Sequence, residues 1–230
     1  MERRLSLIIV FFFVSFLLTG QTPLPQTEGA ENLLRIEIWS LLEPEPGREI
    51  ESSDVFYDHA VNELKKLAPF ILEGMIFGWD FSYTPSDNLR NVEEYFEFTP
   101  KSPFQKGDSR LSFKDPRIEN ERFYVWLEYV RSPVMLSQRK AWDSVLYPKI
   151  SGTGRGRIAE GTDGIIKAYE QALKQAVRSY AQGIEKNKPK EIRGSVLLIK
   201  TPRLYIDSGS YTADLDFFLQ VGKIIPYTLY

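Results

Sequence analysis

Seven residues, Ser151, Gly152, Thr153, Gly154, Arg155, Gly156 and Arg157, combine alternate glycines with two arginines, the material of an anion-binding loop. A P-loop would need a Gly-Lys-Ser/Thr ending to place an ammonium and a magnesium-binding hydroxyl on phosphates, and neither is present. The dinucleotide fingerprint fails too, because its third glycine would fall where Arg157 stands. What remains is a weaker chemistry: Arg155 and Arg157 precede a helix start, where backbone amides and the dipole favour anions. The competing reading is a strand whose glycines let a helix come close, with both arginines solvated.

Acids and bases are sparse in useful arrangements. Asp214 and Asp216 share one face of a strand, about 7 Å apart, a spacing that would suit general acid/base work or a calcium ion, or the wet side of a sheet. Glu93 and Glu94 are adjacent. His59 is the sole histidine, beside Asp58, so a metal set has no second imidazole and a nucleophile has one candidate base. Neither GxSxG nor HExxH occurs, and the absence of cysteine removes thiol catalysis, disulfides and thiolate metal sites together. No catalytic residue, metal ligand set or cofactor is assigned on this basis.

The elements that must position these residues read as follows. Apolar residues from Ile165 through Tyr169, Ala172, Leu173, Ala176, Val177 and Tyr180 to Ile184 mark one amphipathic helix over 163–186. Two strands follow, Ser195–Ile206 and Tyr211–Val221, joined at Asp207, Ser208 and Gly209. Upstream, Leu33–Leu42 reads as a strand. Phe56, Ala60, Leu64, Leu67, Ala68 and Ile71 form a first helix with Pro69 disturbing its last turn. Met75 to Tyr83 alternates as a strand, and Val92–Phe98 is another. The stretch 99–120 reads as a surface excursion, Phe123–Tyr129 as a strand, and Met135–Tyr147 as a strand rather than a helix because Trp142, Val145, Leu146 and Tyr147 are β-formers. The expected fold is α+β: two main helices packed on a mostly antiparallel sheet. The runs Leu72–Ile76 and Ile192–Val196 share a Gly-centred pattern. It suggests two similar helix-strand-strand halves, 32–133 and 134–230, within a single domain spanning 32–230.

With 43% apolar residues most of the chain is globular, and a net charge of −2 with scattered basic residues argues against nucleic acid as a partner. Arg3 and Arg4 precede the apolar run Leu5–Leu18, the layout of a secretory signal over 1–20, cleaved near Gly20 or kept as an anchor. Residues 21–31 read as a flexible leader. Position 21 is Gln where lipidation would need Cys, so no lipid anchor is expected. The inferred location is the periplasm or the outer-membrane side of a bacterial envelope.

The glycine-alternating strand Gly152, Gly154, Gly156, the helix with Ala168, Tyr169, Ala172, Leu173 and Ala176, then Ile192–Val196 and Tyr211–Asp216 together resemble the exported domain of FlgP-type flagellum-associated outer-membrane lipoproteins. The likeness covers about 70 residues of the chain's C-terminal third. It implies a helix packed on antiparallel strands and a non-enzymatic role in envelope assembly. The leading expectation is therefore a protein that acts through protein contacts, with envelope or flagellar-type proteins or copies of itself as partners. The surface expected to carry them is the aromatic strand Trp79, Phe81, Tyr83 with the loop 100–120. The alternative is a binding module for an anionic or glycan envelope ligand using Arg155 and Arg157, and a third is a hydrolase using Asp214 and Asp216.

Overall fold

The computed structural model describes residues 32–42, 54–105, 107–184 and 188–227. The segments read as signal peptide and leader lie outside the described residues. The described elements run β1 (Leu33–Leu41), α1 (Asp54–Leu72), a π-helical turn (Glu73–Phe77), β2 (Trp79–Thr84), β3 (Tyr95–Pro100), β4 (Leu111–Glu119), β5 (Arg122–Val130), α2 (Pro133–Trp142), β6 (Lys149–Arg157), α3 (Thr162–Ile184), β7 (Glu191–Leu198), β8 (Arg203–Asp207) and β9 (Ser210–Ile225).

The strands form two antiparallel sheets, one of order β1-β5-β4 and one of order β3-β2-β7-β9-β6 with β8 also on β9. The long β9 is the axis of the larger sheet. Its first half pairs with β6 on one edge and β8 on the other, and its second half pairs with β7. Strands β7 and β8 are thus one extended line, broken where Pro202 has no N–H to give a ladder. Ser208 and Gly209, both with positive φ (50° and 72°), make the two-residue turn into β9.

The glycines of β6 explain how α3 sits. Gly152, Gly154 and Gly156 face the helix, and a Cβ added to each would stand 2.0, 2.1 and 1.8 Å from the carbonyl oxygens of Ala172, Ala168 and Gly164. Two residues of strand advance about 6.6 Å and four residues of helix about 6.0 Å, so the two small-residue rows stay in step. The glycines are therefore packing residues, as the competing reading held. Helix α1 covers the three-stranded sheet and touches α3. Phe70 of α1 stacks on Trp79 at 5.0 Å and meets Tyr169 of α3 at 5.3 Å, which joins the parts into one core.

The fold is α+β with antiparallel sheets, with three α-helices among the described residues rather than two. The stretch Met135–Tyr147, read as strand, is instead the helix Pro133–Trp142 followed by a turn, because Ser132 accepts a hydrogen bond from the Met135 N–H and Pro133 occupies the first turn. The excursion 99–120 contains β4, which bulges between Lys114 and Arg117. The alternation that begins at Met75 becomes a strand only at Trp79, since residues 73–77 continue α1 as a wider turn. Gly74 consequently lies in a helical turn and Gly194 in β7, so the shared pattern at these glycines is not a shared structure.

Candidate functional site

Trp79, Phe81 and Tyr83 are 1%, 4% and 2% exposed and form part of the core, so they are not the interaction surface expected of them. Alternation correctly puts them on one face of β2, but that face lies under the helices. Tyr83 donates to Glu94, which also meets Lys174 and Arg178. Burial and that carboxylate push the Tyr83 hydroxyl well up. Glu94 is thereby occupied in a structural network. The loop half of the expected surface contains Asp108, whose carboxylate takes bonds from Arg110 and from the Tyr129 hydroxyl.

Arg155 and Arg157 project from the open face of β6, opposite the glycines. Across β6, β9 and β8 this face is built of polar rows: Ser151 with Asp216 and Lys200, Thr153 with Asp214 and Arg203, and Arg155 with Asp207 at 2.7 Å. The structure thus brings Arg155, Arg157, Asp214 and Asp216 onto one surface. Asp216 is held below its ordinary pKa by hydrogen bonds from Lys200 and Ser151, which suits an anion partner better than a proton donor. The anion site proposed at the start of α3 is filled from within: the Glu63 carboxylate of α1 accepts the Thr162 N–H at 2.7 Å. His59 sits half-buried on α1 and joins no group of metal-ligating residues among those described.

A different place has the shape of a site. A cleft of about 370 Å³ opens between the two sheets, with Glu37 and Trp39 of β1 on one wall and Thr201, Pro202, Arg203 and Leu204 on the other. Leu67, Ile71 and Tyr169 line its interior, and Arg122 and Tyr124 its rim. Among the described residues β1 pairs only with β5 and β8 only with β9, so each brings a free edge to the cleft. Backbone bonds from Arg131 to Asn32 and from Leu42 to Glu121 mark the even-numbered residues of β1 as those bonded to β5. The odd-numbered ones, Arg35, Glu37 and Trp39, therefore aim N–H and C=O outward. By the same alternation from the Asp207–Ser210 pair, Leu204 and Ile206 do so on β8. Outside the edge, aromatic rings and arginines interleave: Arg35 lies 4.4 Å over Trp126, Arg117 4.7 Å over Tyr124 and Arg122 4.2 Å over Trp39. Sequence reading missed this cleft because its walls are 160 residues apart in the chain. The alternation of Arg35, Glu37 and Trp39 was the sole local trace.

A protein-family model matches residues 20–227 of the chain. An uncharacterized protein of Treponema pallidum (strain Nichols) is 31% identical over 206 residues, which span 90% of this chain and 86% of that protein. No solved structure matches. The chain belongs to the family described by that model, and it resembles the treponemal protein along nearly the full length of both.

Proposed function

We propose that the protein is an exported, non-enzymatic component of the cell envelope that works by binding an extended segment of another protein along the cleft between the sheets. The observation that carries this is the pair of free strand edges, β1 and β8, facing one cleft with their spare backbone groups. An inserted strand would satisfy those groups, the mode by which sheet edges take up peptides. The cleft of about 370 Å³ takes part of an extended segment, with the ends running out over the rims. Arg122 and Arg203 flank it, while Glu37 is already held by Arg117 at 2.5 Å, so the segment that fits carries acidic side chains. Export is supported by the charged start and apolar run Leu5–Leu18.

The test is site-specific photo-cross-linking from position 204 in the native envelope. The expected result is a defined protein adduct that disappears with Glu37→Pro, which removes an outward N–H without touching the β5 ladder, and weakens with Arg203→Glu. Adducts that persist in both variants would refute the cleft.

A second reading, an anionic glycan ligand, is favoured by the interleaved arginines and rings at Trp39, Tyr124 and Trp126. It calls for binding by the purified protein that falls as salt rises. A hydrolase reading finds no support, since Asp214 and Asp216 are engaged by Thr153, Ser151 and Lys200.

A further inference from the structure

The turn between α2 and β6 carries two exposed aliphatic side chains at its tip. The Tyr147 N–H donates to the Ser144 carbonyl at 3.3 Å, which places Val145 and Leu146 at the two central positions. Neither residue has a positive φ, so the backbone of this turn accepts most side chains and does not itself call for aliphatic ones. Here both are aliphatic and stand 105% and 83% exposed, so neither packs on the protein. Two adjacent aliphatic side chains that gain nothing in the fold make an apolar point open to a surface outside it.

The surroundings indicate what that is. Trp142 and Tyr147 flank the tip with rings 4.9 Å apart, both half-buried, and each joins an apolar body to a polar N–H or O–H. Lys140 and Lys149, both exposed, stand two residues before Trp142 and two after Tyr147, and Lys101 sits 5.6 Å over the Trp142 ring. The one acid of the turn, Asp143, is 3.3 Å from Lys149, and Asp80 lies 3.6 Å from Lys101. An aliphatic point, then a belt of Trp and Tyr, then lysines, is the sequence of layers from the acyl region of a bilayer through its interface to anionic headgroups.

We infer that residues 142–149 form a membrane-contact tip, in which Val145 and Leu146 enter the acyl boundary of an anionic lipid surface, Trp142 and Tyr147 lie at headgroup level, and Lys101, Lys140 and Lys149 meet the phosphates. Among the described residues no helix is long and apolar enough to cross a membrane, and the contact proposed is with the surface. The inference depends on neither the cleft nor its partner.

The chain has no cysteine, so a single Val145→Cys change allows an environment-sensitive fluorophore to be placed on the tip of the full-length protein. A second label at Ser208→Cys, about 26 Å along β6 at its other end, reports any contact that is not local. The expected result is a blue shift at 145 but not at 208 on adding phosphatidylglycerol-containing vesicles, weak with phosphatidylcholine alone and reduced by added salt. Leu146→Asp should lower the partition of the tip roughly tenfold or more without lowering the melting temperature. Three outcomes would overturn the inference: no shift at 145, equal shifts at both labels, or a shift at 145 that grows with protein concentration in the absence of vesicles. The last would make the tip a contact between copies of the chain.

Discussion

The Glu63 carboxylate accepts the backbone N–H of Thr162 at 2.7 Å, so helix α1 supplies the N-terminal cap of helix α3 from 99 residues away. Thr162 answers by donating its hydroxyl to the Glu63 carbonyl at 3.2 Å. The bond joins the helix on one sheet to the helix on the other.

Removing it loosens that joint. Glu63→Ala is expected to cost about 1–2 kcal/mol in unfolding free energy by denaturant titration, and Glu63→Gln, which keeps an acceptor and loses the charge, roughly half as much. Burial alone would raise the Glu63 pKa, but hydrogen bonds from Lys66 and Thr162 outweigh it and hold it below 4.5. A lowered folded-state pKa stabilises above the unfolded value and is lost as pH falls through the folded one. Glu63→Gln should therefore flatten part of the stability loss below pH 4.5.

Asp108 gives a steeper acid response. The Arg110 guanidinium, then the Arg110 N–H and the Tyr129 hydroxyl, outweigh its desolvation and bring its pKa down to about 2. Its contribution is complete above the ordinary carboxylate value of 3.8 and vanishes as pH drops towards 2. Melting temperature followed from pH 5 to pH 2 should fall in the natural protein. In Asp108→Asn it should start lower and change less across that window.

Close approach at β6 makes Gly154 intolerant of any side chain. Gly154→Ala would put a methyl 2.1 Å from the Ala168 carbonyl, backbone that cannot step aside, and should destabilise by about 3 kcal/mol or more. Gly183, near the end of α3 with nothing within 4 Å of its notional Cβ, is the control. Gly183→Ala should be neutral or stabilise by up to ~1 kcal/mol. Equal effects at the two positions would contradict the helix-strand packing.

Trp79→Ala should cost about 3–5 kcal/mol, as a large ring lost from the core does. The indole N–H of Trp79 has no partner among the described residues. Trp79→Phe therefore discards an unpaired donor along with some volume and should cost clearly less. A Trp79→Ala protein of natural stability with impaired partner binding would restore the surface reading.

Alternation in β2, β5 and β9 and the stripe of α3 were legible because each buries one face, and burial writes periodicity into sequence. The same periodicity cannot say which side of a sheet is covered, which is why Trp79, Phe81 and Tyr83 invited a surface reading. Strand β4 was hidden by its exposure, since Lys114, Asp115 and Arg117 lie on its wet side and a bulge breaks its register. Helix α2 did carry a signal in Ser132 and Pro133, overridden by the β-formers Trp142, which ends the helix, and Val145, Leu146 and Tyr147, which belong to the turn after it. The Glu63 cap and the cleft arise between elements far apart in sequence, where no local pattern exists to read.

The position of β9 also sets when the protein can fold. The strand that joins β6, β7 and β8 follows all of them among the described residues, and its neighbour β7 pairs with β2 across more than a hundred residues. High contact order of this kind slows folding. Until β9 is in place β6, β7 and β8 have no common partner, and a truncation within β9 would part β6 and β8 from the ribbon β3-β2-β7 rather than leave a shortened sheet.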